Sequence, residues 1–130
     1  MGSTTPEGKV KEKVKAVLKR RGVWYCMPRG QTYGRAGIPD FLCCHKGRFV
    51  AVETKAGRGK ATPLQLRELR NIFRNHQGIA LIIREDNLDE LENALDFAEN
   101  ETGAPFGYTV DESIAWGIED EEDKRRPDTR

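Results

Sequence analysis

Asp40, Glu53 and Lys55 are the residues of this 130-residue chain whose types and spacing suit chemistry. Two carboxylates with an ammonium beside them can serve phosphodiester hydrolysis. A hard divalent cation such as Mg²⁺ takes oxygen ligands, commonly one or two carboxylates, and completes its octahedron with water and substrate phosphate. Such an ion polarises a phosphoryl oxygen and acidifies a bound water. A lysine at the same spot can orient or help deprotonate that water and can offset charge that develops in the transition state. The plainer interpretation of two acids and a lysine is a salt bridge, so the case depends on what positions the three groups.

A hairpin is expected to do so. Two β-patterned runs, roughly 40–45 and 48–55, flank Lys46-Gly47, and glycine at the second turn position suits a two-residue loop. With that turn His45 faces Arg48, and the same register puts Asp40 across from Glu53. Like charges directly opposed on neighbouring strands repel. A sequence that places them so either leaves them at an indifferent exposed edge or binds a cation between them. Lys55 lies two residues beyond Glu53 and projects from the same face.

The surrounding elements follow from periodicity. Thr5-Pro6-Glu7 reads as an N-cap and first helical turn, Val10, Val14, Val17 and Leu18 recur at helical spacing, and Gly22 ends the helix. Glu7 falls on the apolar face of that helix, three and seven residues before Val10 and Val14. Val23 to Met27 reads as a strand, and 28–37 as a Gly- and Arg-rich loop with Gln31 and Tyr33. A second basic loop covers 56–61. Thr62-Pro63 starts another helix with the stripe Leu66, Leu69, Ile72 and Phe73, closed by Gly78. Ile79–Ile83 is a buried strand, and Asn87 to Glu90 resembles a capping box that opens a third helix through Leu88, Leu91, Leu95 and Ala98. The order α-β-β-β-α-β-α implies an α/β fold with a mixed central sheet flanked by helices. Trp24 and Tyr25 read as core or interface residues and His76 as a helix C-terminal cap.

The net charge of +1 hides a division. Residues 1–84 hold 18 Lys/Arg and 5 Asp/Glu, a net of +13, whereas residues 85–130 hold 4 and 16, a net of −12. That asymmetry suggests a basic, polyanion-binding body and an acidic tail. Residues 101–130 are expected to form an extension, docked in part through Phe106, Tyr108, Val110, Ile114 and Trp116 and ending in a disordered acidic stretch. The longest apolar run, Ile79–Ile83, is far short of a membrane span, and the basic N-terminus lacks the apolar region of a secretory signal. Three cysteines, two of them adjacent, do not make a disulfide framework, which fits a cytoplasmic setting. Cys43-Cys44-His45 lacks the paired spacing of a zinc site, and successive strand residues point to opposite faces.

Gly37-Ile-Pro-Asp40 followed by Glu53-Thr-Lys55 resembles the PD-(D/E)XK nuclease superfamily, and more narrowly the stand-alone VRR-NUC domains common in phage genomes. The resemblance runs from about Pro6 to Ile83 and includes Glu7 on the first helix and Gln65 on the second. It implies a restriction-endonuclease-like α-β-β-β-α-β core within residues 1–100, and Mg²⁺ or Mn²⁺ held by Asp40, Glu53 and the backbone carbonyl of Thr54, with Glu7 completing or bridging a metal position. Lys55 would be the catalytic lysine, and Gln65 would support the metal-bound water or touch phosphate. Arg29, Tyr33, Arg35, Arg58 and Lys60 flank the proposed centre as DNA-binding residues: the basic groups suit phosphate, and Tyr33 suits stacking on a base or sugar. The implied activity is structure-selective DNA cleavage, on branched or Holliday-junction-like DNA, by a homodimer in the bacterial cytoplasm. The competing expectation is an inactive DNA-binding module on a nuclease fold.

Overall fold

The structure, a computed structural model, describes residues 5–28 and 36–100. Helix α1 (Pro6–Arg20) starts at the Thr-Pro signal: Thr5 is extended and its hydroxyl accepts the Gly8 N–H at 3.0 Å. It is followed by β1 (Trp24–Cys26), β2 (Phe41–His45), β3 (Arg48–Thr54), α2 (Pro63–His76), β4 (Ile79–Ile83) and α3 (Leu88–Asn100). The expected element order is observed.

The four strands lie in the order β1-β2-β3-β4. The first three pair antiparallel, and β4 joins β3 in parallel after the α2 crossover. The hairpin between β2 and β3 has the expected register, His45 opposite Arg48 through Phe41 opposite Val52. Lys46 and Gly47 both have positive φ, 53° and 82°, as a type I′ turn demands.

Two apolar layers hold the sheet. On one face Val10, Val14, Val17 and Leu18 of α1 and Leu91, Ala94 and Leu95 of α3 pack on Phe41, Cys43, Val50, Val52, Ile79, Leu81 and Ile83. On the other, Leu66 and Leu69 of α2 cover Ala51, Ala80 and Ile82. The strand β4 is buried along its whole length, in keeping with its uninterrupted apolar sequence. Cys43 faces the first layer, where burial pushes its thiol up to about 12, whereas Cys44 is exposed.

Four local expectations are corrected. The left-handed residue that ends α2 is Gln77, at φ 60°, not Gly78. Gly78 is needed for space, since a Cβ there would sit 2.6 Å from Cγ2 of Ile72. The side chain of Asn87 does not cap α3. Its Oδ1 accepts the Arg84 N–H and its Nδ2 donates to the Ile82 carbonyl, tying the loop back to β4. Trp24 is no core residue, being 65% exposed on the edge strand. The acidic half of the chain is not simply a tail, because α3 uses it for packing. Arg20 at the end of α1 and its C-cap residue Arg21 pair with Glu92, Arg21 also reaches Asp96 and Glu99, and Glu99 meets the buried His45 at 2.8 Å. The docking segment and acidic end expected over 101–130 lie outside the described residues.

Candidate active site

Asp40 sits one residue before β2, just outside the ladder, so strand alternation does not govern its carboxylate. Its Oδ2 accepts two hydrogen bonds from Thr54, from the amide at 2.9 Å and the hydroxyl at 2.6 Å. The expected head-on opposition of Asp40 and Glu53 is thereby softened: one aspartate oxygen is tied to the end of β3. Thr54 is fully buried. Reading the sequence assigned it only a backbone carbonyl, and nothing in the spacing signals that its hydroxyl anchors the aspartate.

The loop that delivers Asp40 is pinned at Gly37. Its φ is +90°, and a Cβ there would lie 2.7 Å from the carbonyl oxygen of Leu64 in α2. Both the backbone angle and the close approach therefore require glycine. Gly37→Ala is expected to destabilise the protein by about 2 kcal/mol or more and to lower any activity that depends on Asp40. Urea unfolding checks the first effect, and wild-type stability in this variant would show that the loop is not pinned there.

Glu53 is the least solvated charged group of the described residues, 1% exposed on β3. Its Oε2 lies 3.5 Å from Nζ of Lys55, and its Oε1 is buried with no hydrogen-bond partner among the described residues. Burial pushes its carboxyl up to about 8. The negative charge of Asp40 adds to the rise, Lys55 opposes it, and Glu7 adds a little more. Nearby like charges and one ammonium thus leave a buried carboxylate short of positive charge, an arrangement typical of functional centres.

The remaining expected residues divide. Glu7 reaches the neighbourhood, but its carboxylate pairs with Lys11 one helical turn on, at 3.6 Å, and Lys11 also stands 3.9 Å from Oδ1 of Asp40. Among the described residues no three His, Cys, Asp or Glu side chains gather as a metal-holding cluster. Asp40 and Glu53 are the carboxyl groups that meet at the end of β3 beside Lys55, whereas Glu7 is paired with Lys11. The lysine was missed in the sequence, although its spacing of four from Glu7 on the same helix face was a usable signal. Gln65 is placed in a capping box: its Oε1 accepts the Thr62 N–H at 2.9 Å while its own N–H donates to the Thr62 hydroxyl. The Thr-x-x-Gln pattern carries that signature, which the expected water- or phosphate-binding role overlooked.

Arg58 and Lys60 are exposed on the loop after Lys55. That loop is held from β4's end. The Glu85 carboxylate accepts the Gly57 N–H, and Arg84 donates to the carbonyls of Gly57 and Gly59. The Gly57 amide is the main cause that holds the Glu85 carboxyl below its usual range. Neither Arg84 nor Glu85 was expected at the site, because their partners are 25 to 28 residues away in sequence. Arg29, Tyr33 and Arg35 lie outside the described residues.

No protein-family model, curated protein or solved structure matches this chain. The fit of a divalent cation rests on the donor set itself. Among the described residues, Oδ1 of Asp40 and Oε1 of Glu53 are hard oxygens not engaged by backbone or hydroxyl donors, and the second is buried without a partner. With the Thr54 carbonyl at the end of the same strand, they suit Mg²⁺ or Mn²⁺ rather than a softer ion.

Proposed function

We propose that this protein is a metal-dependent DNA endonuclease of the PD-(D/E)XK type. The observation that carries the reading is Glu53: a fully buried carboxylate with one unpartnered oxygen, next to a second carboxylate and a lysine. A carboxyl so placed must keep its proton or have its charge offset by a cation.

Asp40, Glu53 and the Thr54 carbonyl would hold the ion. When bound, it supplies Lewis-acid activation of the phosphodiester and a water of lowered pKa. Thr54 keeps Asp40 in place through two hydrogen bonds, so the ligand does not have to be ordered on binding. Lys55 holds its ammonium beside Glu53, where it orients the attacking water and offsets charge on the phosphoryl oxygens. Arg58 and Lys60, on a loop braced by Arg84 and Glu85, supply phosphate contacts that position the strand without reading its sequence. Branched DNA is the proposed substrate class, with two copies of the chain presenting two centres to one symmetric junction.

Incubating the protein with plasmid, flap and four-way-junction DNA in Mg²⁺ or Mn²⁺ tests the reading. Cleavage is expected with metal and lost with chelator. Failure to cut any of the three would sink it.

A further inference from the structure

We propose that Lys11 is a built-in counter-ion that keeps the cation's place at Asp40 and must yield when the cation binds. The inference rests on the reading of Asp40 and Glu53 as metal ligands.

The two oxygens of Asp40 are used differently. Oδ2 is fixed by the amide and hydroxyl of Thr54, whereas Oδ1 faces the Lys11 ammonium at 3.9 Å. Lys11 therefore addresses the oxygen that remains for an ion. It also holds Glu7 at 3.6 Å, so one ammonium spans two carboxylates that would otherwise repel. Glu53 is a third carboxyl group nearby, and Lys55 pairs with its Oε2 while its Oε1 has no hydrogen-bond partner among the described residues.

The two lysines differ in what they can do. Lys55 is 12% exposed and enclosed next to Glu53. The Lys11 side chain is 33% exposed on a surface helix and can swing its ammonium into water on a flexible stem. A cation approaching Oδ1 meets that positive charge at close range. Ion and ammonium exclude each other electrostatically, and the ammonium is the one free to leave. The metal-free site is thus kept from flying apart, at the expense of metal affinity.

The consequences have opposite signs, which separates this role from a merely structural one. Replacing Lys11 by methionine keeps the stem and removes the charge. Binding of Mn²⁺ at pH 8, followed by titration calorimetry on the full chain, is expected to tighten by about tenfold, the scale of one like charge a few ångströms away and partly screened. The metal-free melting temperature of the same variant is expected to fall. Lys13→Met, on an exposed position of the same helix, controls for the general loss of one positive charge and is expected to change metal affinity less than twofold, the residual effect of a screened surface charge. Lys11→Gln, with a neutral polar end, is expected to follow Lys11→Met. If wild-type protein binds Mn²⁺ and both Lys11 variants bind it equally or more weakly, the counter-ion role is overturned and the nuclease reading stands. If the wild type binds no Mn²⁺, the proposed function fails and this inference with it.

Discussion

Lys55→Met is expected to lower the single-turnover rate of DNA cleavage by about 10³-fold while leaving DNA affinity within about a factor of two. Removing one preorganised donor from developing transition-state charge costs on the order of 10²–10³, and losing the group that orients the attacking water adds to it. Affinity is spared because phosphate binding is spread over several basic side chains, Arg58 and Lys60 among them, and each such contact contributes modestly. A second consequence follows from the geometry. Lys55 is a source of positive charge beside Glu53 and opposes the rise of its carboxyl. Without it Glu53 takes up its proton more readily, so the variant needs more metal or a higher pH for the same occupancy. Saturating metal at high pH should restore binding of the ion but not the chemical step. Cleavage by Lys55→Met within tenfold of wild type under those conditions would remove the lysine from the mechanism.

The second large effect concerns Glu53 and stability. Its carboxyl is raised in the folded protein from the ordinary 4.5 to about 8, chiefly by burial. The folded state therefore holds that proton more tightly than the unfolded chain. The resulting stability is fully present below about pH 4.5 and is lost as pH rises through 8. Metal-free protein should accordingly weaken across this window by on the order of 5 kcal/mol. Glu85 and Glu99 are shifted the other way, by the Gly57 amide and by His45 respectively. Stability from those two is lost only as pH falls below the usual carboxylate range, so they leave the window to Glu53. Glu53→Gln should flatten the slope and, without metal at pH 8, melt roughly 20 °C higher than wild type, since each kcal/mol is worth about 4–8 °C in a domain of this size. Added Mg²⁺ should stabilise wild type at pH 8 far more than at pH 5 and should do nothing for the variant. Thermal melts at pH 5, 6.5 and 8, with and without metal, decide it. An unchanged slope in Glu53→Gln, or a lower melting temperature at pH 8, would mean that the buried carboxylate is not under-compensated.

Both effects concern residues that could be picked out before any coordinates. Gly-Ile-Pro-Asp, then a hairpin with glycine in its turn, then Glu-Thr-Lys, bring two acids and a lysine together by strand register alone. The β2–β3 pairing follows that register in every pair from Phe41 opposite Val52 to His45 opposite Arg48. The helices were legible for the same kind of reason. The stripes Val10, Val14, Val17, Leu18 and Leu66, Leu69, Ile72, Phe73 state which face of each helix meets the sheet, and those residues do pack there. Where reading failed within an element, the local signal was ambiguous. Asn87 carries a capping pattern, but its side chain finds the Arg84 amide and the Ile82 carbonyl instead. The side-chain oxygen of Gln65 closes a capping box with its own N-cap threonine, a contact that the expected role at the site did not include. The charge division suggested a body and a tail, whereas the acidic face of α3 is matched to Arg20 and Arg21 across the helix pair.

By itself the sequence determined the element order, the hairpin register, the buried faces, and that Asp40, Glu53 and Lys55 share one end of β3. These rest on periodicity and turn chemistry, properties of a single stretch of chain. The tertiary structure alone decided that Thr54 anchors Asp40, that Lys11 stands at its other oxygen, that one oxygen of Glu53 has no partner, and that Arg84 and Glu85 brace the basic loop. Those contacts depend on how far α1 slides along the sheet and how the end of β4 meets the loop after β3. Packing settles such distances to within an ångström, and no spacing within one segment encodes them.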